Sequence, residues 1–130
     1  MVRVALYLPG ITANWSLIDF LLDTGAATTC LHTWDASERL RIGDERLMTG
    51  DAWDDTETYS GVGGGATYYV TRARYALLNE RSEWQLLDGS VRVAQASSAN
   101  ADLPSILGWD ILRRFTVSLD WRQKLVELRE

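Results

Sequence analysis

Phe20-Leu21-Leu22-Asp23-Thr24-Gly25-Ala26 is the stretch on which the reading of this chain turns. Three apolar residues deliver an aspartate to a Thr-Gly turn. A carboxylate at the end of a buried strand loses water and needs partners. Three consecutive residue types recur by chance often enough that the motif alone proves little, and a strand-terminal Asp capping a turn is common. The surroundings must carry the rest.

Upstream, Val2, Val4, Leu6 and Leu8 alternate with Arg3, Ala5 and Tyr7, which is strand spacing. Pro9-Gly10 is a turn signal, and residues 15–22 read as the second strand. Downstream, Thr33 is a fair N-cap for a short helical pattern over residues 33–40, with Asp35 suited to the first turn. Residues 42–58 are polar and acidic without a clear period, so loop with at most one strand is expected. The glycine-dense run 60–66 reads as a mobile hairpin tip feeding strands over residues 68–78. Asp88-Gly89 is predicted to be a hairpin turn. A helix-like segment covers residues 110–114, and residues 115–128 form a last hairpin turning at 120–123. The expected fold is mostly β, a closed barrel-like domain with one or two short helices.

The chain has 130 residues, the size of one domain, so residues 1–130 are read as a single unit. Hydrophobic residues at 46% suffice for a core, and a charged fraction of 24% argues against disorder. The net charge of -5 comes with no basic cluster, which disfavours phosphate-directed nucleic-acid binding. The apolar runs are too short and broken for a signal peptide or a membrane span. A single cysteine, Cys30, rules out an intrachain disulfide. The expectation is a soluble cytoplasmic protein with no membrane and no nucleic-acid partner.

A second segment changes the weight of the first. Leu103-Pro104-Ser105-Ile106-Leu107-Gly108-Trp109-Asp110-Ile111-Leu112 lies far downstream. With Asp23-Thr24-Gly25-Ala26, it resembles the retropepsin-like aspartic proteases, and most closely their single-domain microbial members. That family pairs an apolar strand ending in Asp-Thr-Gly-Ala with a later apolar-apolar-Gly-x-Asp-apolar-Leu segment. The order aspartate turn, glycine-rich flap, glycine segment and closing hairpin is also the family's, and it spans nearly the whole chain.

The resemblance implies an aspartic endopeptidase with a retropepsin (acid protease) fold. Such enzymes use two carboxylates sharing one proton, because like charges that close cannot both ionise cheaply. One carboxylate activates water and the other polarises the scissile carbonyl. This chain has one Asp-Thr-Gly, so the resemblance implies a homodimer that pairs Asp23 with Asp23 of a second copy. It implies catalytic roles for Asp23, Thr24 and Gly25. Peptide substrate would contact Ala26, Ala27, Val62, Gly63, Gly64, Gly65 and Ile106. Thr29, Gly108 and Asp110 would support the turn. Ala26 stands where two-lobed relatives carry a hydroxyl that would stabilise the ionised dyad. The chain departs from viral relatives, which often place acidic residues after the alanine, one paired with an Arg after the later glycine. Here Ala27, Thr28 and Trp109 occupy those positions, so both halves of that ion pair are absent together. No cofactor is implied. A catalytically weak dimer of the same fold that binds peptides is the alternative.

Other motifs read more plainly. Residues 61–65 lack the Lys and Ser/Thr of a phosphate loop. His32 is the one histidine, which cannot build a zinc site by itself, and a structural role is expected. A Cys30 nucleophile would need His32 as base, two residues along an extended strand, which is poor geometry. Asp51, Asp54, Asp55 and Glu57 lack the spacing of a calcium loop. Of six tryptophans, Trp15, Trp84, Trp109 and Trp121 are expected in the core or a dimer interface, and Trp34 and Trp53 at the surface.

Overall fold

A computed structural model describes residues 1–49, 53–61, 64–97 and 101–130. Nine strands are described: β1 (Val2–Tyr7), β2 (Ser16–Leu22), β3 (Cys30–Leu31), β4 (Asp55–Gly61), β5 (Gly64–Leu78), β6 (Trp84–Ala94), β7 (Ile106–Leu107), β8 (Thr116–Asp120) and β9 (Leu125–Arg129). A π-helical turn covers Asp35–Arg39, and two short helices are α1 (Asp44–Met48) and α2 (Trp109–Leu112).

The strands run in the order β1-β2-β7-β3-β6-β5, and β5 pairs back onto β1, so the sheet closes into a six-stranded barrel with β4 appended to β5. Closure rests on Ala5 opposite Ala76, Leu6 opposite Tyr75 and Tyr7 opposite Arg74. Two pairings are parallel, β2 with β7 and β3 with β6; the others are antiparallel. The fold is therefore mostly β and closed, as the alternating pattern of the sequence predicts.

Strand alternation sends one face inward. Val4, Leu6, Ile18, Phe20, Leu31, Tyr69, Val91, Val93 and Leu107 fill the interior, and Ile111 and Leu112 of α2 close one side. Burying each of these large side chains stabilises the fold by about 1.5–3 kcal/mol before chain entropy is counted. Tyr75 is fully buried yet satisfied, because its hydroxyl donates to the Ser90 carbonyl at 2.6 Å. Burial pushes that phenol far above its ordinary pKa, so it stays protonated.

Three local expectations are corrected. Asp88-Gly89 is no turn: β6 runs straight through it, with Asp88 opposite Arg74 and Gly89 opposite Ala73. The β5–β6 turn lies at residues 79–83 instead. There the Asn79 carboxamide oxygen accepts from the amides of Arg81 and Glu83, both at 2.9 Å, and Ser82 takes a φ of 61°. An Asn side chain that mimics backbone can hold such a turn without glycine. The polar stretch 42–58 contains α1 as well as the start of β4. Trp53 is a core residue, stacked on Tyr69 at 5.3 Å, with its indole N–H donating to the Arg46 carbonyl at 2.8 Å. Conversely, Trp15, Trp84, Trp109 and Trp121 are all exposed in the single chain.

The expected last hairpin is present as β8 and β9, a two-stranded sheet outside the barrel. Its turn is held by Asp120, whose Oδ1 accepts from the amides of Arg122 and Gln123 at 3.0 and 3.1 Å. Leu119, Trp121, Leu125 and Val126 leave it strongly apolar outside. Among the described residues no helix is long and apolar enough to cross a membrane.

Candidate functional site

β2 carries the chain to Asp23, and the aspartate stays tied to the sheet through its amide, which donates to the Leu107 carbonyl at 3.2 Å. The backbone then folds back on itself. Ala26 N–H donates to the Asp23 carbonyl at 3.2 Å, and Asp23 Oδ1 accepts from Gly25 N–H at 2.8 Å. The carboxylate thus braces its own turn. It is half-buried, while Thr24 and Gly25 are exposed. A Cβ on Gly25 would lie 3.2 Å from Asp23 Oδ1 and crowd the carboxylate.

The floor beneath the turn comes from the distant segment. β2 and β7 pair in parallel, Leu21 with Ile106 and Leu22 with Leu107. Past β7, Trp109 N–H donates to the Ala26 carbonyl at 2.9 Å and Asp110 N–H to the Ala27 carbonyl at 3.1 Å. Gly108 makes this approach possible. A Cβ there would lie 2.5 Å from the Thr28 carbonyl carbon and oxygen, a distance no real side chain tolerates. Its φ of −103° is open to any residue, so glycine serves here to let two backbones pass.

Thr29 and Asp110 lock the two segments together. Thr29 Oγ1 donates to Asp110 Oδ1 at 2.7 Å, and Thr29 N–H donates to Asp110 Oδ2 at 3.1 Å. Thr29 Oγ1 also accepts from Gly108 N–H at 3.0 Å, and Asp110 Oδ1 accepts from Ile111 N–H at 2.9 Å. Thr29 is wholly buried, so each of these groups is satisfied internally.

The structure therefore brings together Asp23, Thr24, Gly25, Ala26, Ala27, Thr29, Ile106, Gly108 and Asp110. Gly64 and Gly65 open β5 opposite Gly61 and Ser60, at the apex of the β4–β5 hairpin. Val62 and Gly63 lie outside the described residues. Trp109 plays a part that sequence reading missed: its indole N–H donates to the Thr24 carbonyl, pinning the outer side of the turn. The signal was its place directly after Gly108.

A second network supports the same region from behind. Ser105 Oγ donates to Asp35 Oδ2 at 2.6 Å and accepts from His32 N–H at 3.0 Å. The His32 ring bridges the Pro104 carbonyl, 2.6 Å from Nδ1, and the Tyr68 hydroxyl, 3.1 Å from Nε2. A carbonyl only accepts, so Nδ1 carries the proton and Nε2 receives the phenol. Burial holds the imidazole below its ordinary pKa against the Pro104 hydrogen bond and the Asp35 charge. Ser105, His32 and Asp35 are thus neighbours, yet both ring nitrogens are engaged elsewhere and Ser105 is fully buried. They hold structure and do not form a nucleophilic triad. Burial also pushes the Cys30 thiol up, with the Thr28 hydroxyl opposing, which is the wrong direction for a thiolate nucleophile. Among the described residues no cluster of His, Cys, Asp and Glu is arranged to hold a metal ion.

An exposed turn that presents one carboxylate, on a floor of interlocked backbone, can supply half of a two-carboxylate centre. The sequence matches no protein-family model and no curated protein.

Proposed function

We propose that this chain is one half of a homodimeric, retropepsin-like aspartic endopeptidase, with Asp23 and Asp23 of a second copy as its catalytic pair. The observation that carries the reading is the Asp23-Thr24-Gly25 turn, half-exposed and locked onto Gly108 through Thr29 and Asp110. A rigid turn that holds a carboxylate at the surface suits a site completed by symmetry. The exposed apolar residues of the β8–β9 hairpin, with Leu119 opposite Val126 and Trp121 at the turn, support association. Peptide or protein is the substrate class. In the assembled pair one carboxylate would take a proton from water while the other polarises the scissile carbonyl and later serves the leaving nitrogen. No cofactor enters the reaction.

Asp23→Asn keeps the shape of the side chain and removes its titration. It is expected to abolish peptide cleavage while leaving the circular dichroism spectrum and the mass by light scattering unchanged. Equal cleavage by wild type and variant would sink the reading. So would a fully active species with the mass of one chain, because a monomer holds half a site.

A further inference from the structure

The barrel closes where Ala5 of β1 lies opposite Ala76 of β5. Their neighbours Val4, Leu6, Tyr75 and Leu77 belong to the core, so the two alanines stand on the outer face. Leu17 of β2 lies opposite Ala5, and Leu86 of β6 lies opposite Ala76. A Leu-Ala-Ala-Leu row therefore crosses four strands on the outside. Antiparallel strands with one solvated face ordinarily turn polar residues to it. Here the two leucines are 50% and 60% exposed, with only small residues between them.

The rows on either side repeat one another by a half-turn. On β1 and β2, Arg3 pairs with Asp19 at 2.7 Å; on β5 and β6, Arg74 pairs with Asp88 at 3.1 Å. Tyr7 has Trp15 beside it, with ring centroids 5.7 Å apart, and Leu78 has Trp84 opposite. The antiparallel β1–β5 pairing supplies a local two-fold axis along the sheet normal, between Ala5 and Ala76. Rotation about it carries Leu17 onto Leu86, the Arg3–Asp19 pair onto Arg74–Asp88, and Trp15 onto Trp84. The tryptophans match in exposure as well, at 43% and 52%. Backbone geometry provides the axis, but only the sequence can match side chains to it.

We infer that this outer face of β2-β1-β5-β6 is a self-association surface that stacks on the same face of a second copy, separately from any pairing of the Asp23 turns. An isologous contact needs a patch complementary to itself. Laying a second copy face down, about an axis along the strands, sets Leu17 against Leu86 of the other copy; an axis across the strands sets Leu17 against Leu17. In both arrangements each Arg meets Tyr7 or Leu78, and each Asp meets a tryptophan. No like charges face each other, and arginine over an aromatic ring is itself attractive. Four strands and three outward positions span roughly 400 Å² on each copy. That area suits a weak contact governed by concentration. Leu17 stands six positions before Asp23, about 20 Å away along β2, so stacking leaves the turn free.

Sedimentation of the full chain over roughly a hundredfold range of concentration tests this. The mass of the wild type should rise with concentration. Leu17→Glu and Leu86→Glu, both at exposed positions, should each weaken that association by about tenfold or more while keeping the circular dichroism spectrum. Leu119→Glu, in the β8–β9 hairpin, should leave it in place. Charge pairing then identifies the occupant. Leu17→Glu mixed with Leu86→Lys brings opposite charges together if the axis runs along the strands, and Leu17→Glu mixed with Leu17→Lys does so if it runs across them. One of the two mixtures should regain the wild-type association. A wild-type mass that stays constant overturns the proposal, as does a rise that only Leu119→Glu removes. A loss that neither mixture restores gives the face to another occupant and overturns it too. So does constant mass together with binding to phosphatidylcholine vesicles that Leu17→Glu abolishes, which would make the face a lipid-binding one.

Discussion

Gly108→Ala adds one methyl group at the point where the Asp23 turn meets its floor. The new Cβ would sit 2.5 Å from the Thr28 carbonyl carbon and oxygen, whereas ordinary contact begins at 3.4 Å. Both obstructing atoms are backbone, so no side chain can swing away. The two segments must part by nearly 1 Å, the difference between those distances. The bonds from Trp109 N–H to Ala26 and from Asp110 N–H to Ala27, now 2.9 and 3.1 Å, would then stretch beyond useful range. Overpacking costs about 1–3 kcal/mol. Two lost hydrogen bonds add about 1 kcal/mol each. A loss of about 4 kcal/mol follows, a large part of the ~5–15 kcal/mol that domains possess. Urea denaturation measures it: with a slope of about 2 kcal/mol per molar, the midpoint should fall by roughly 2 M. Gly43→Ala is the control, because a Cβ there meets nothing within 4 Å, and it should stay within about 0.5 kcal/mol of wild type. A Gly108→Ala midpoint indistinguishable from that of Gly43→Ala would refute the close-approach argument.

Further expectations follow from the same geometry. Thr29→Val keeps shape but strands Gly108 N–H and leaves Asp110 Oδ1 with the Ile111 amide as its remaining donor, and should cost about 2–3 kcal/mol, while Thr29→Ser should recover most of it; equal losses in the two unfolding curves would discount the hydroxyl. His32 is the only histidine, so its imidazole proton resonances should titrate alone, with a midpoint below 6.5. Because the folded value is depressed, the unfolded chain binds the extra proton; stability is present above 6.5 and is lost as pH falls toward the folded value. The difference in unfolding free energy between wild type and His32→Gln should shrink across that window, and a constant difference would contradict it.

Elements written in local pattern were the legible ones. β1 and β2 show alternation, and the Asp23 turn, the Gly108 segment and the β8–β9 hairpin carry their own turn chemistry. The meeting of the Asp23 turn with the Gly108 segment was legible because its parts are specific residue types in a fixed order. What failed was decided by distant partners. Asp88-Gly89 has strong local turn preference, yet Asp88 meets Arg74 at 3.1 Å and Gly89 lies beside Tyr75 in a continuous ladder. Pairing along the whole of β5 outweighs one dipeptide. α1 is five residues long, too short to show a helical period, and is tied in by Leu47. Trp53 stands alone in a polar stretch, where no pattern marks an aromatic as buried. Its stacking on Tyr69 is a tertiary fact.

The lock between Thr29 and Asp110 joins residues 81 positions apart. At about 5–20 residues per second, synthesis would deliver Asp110 roughly 4–16 s after Thr29. Throughout that interval the Asp23 turn exists as sequence without its floor: no Leu107 carbonyl holds the aspartate amide, and no Gly108 lies under Thr28. Long-range parallel pairing of β2 with β7 is also among the slower contacts to form. A growing chain therefore carries its carboxylate in an unorganised loop past its own unfolded segments and past neighbouring chains. The distance along the sequence acts as a timer, withholding the ordered site until the barrel that contains it has closed.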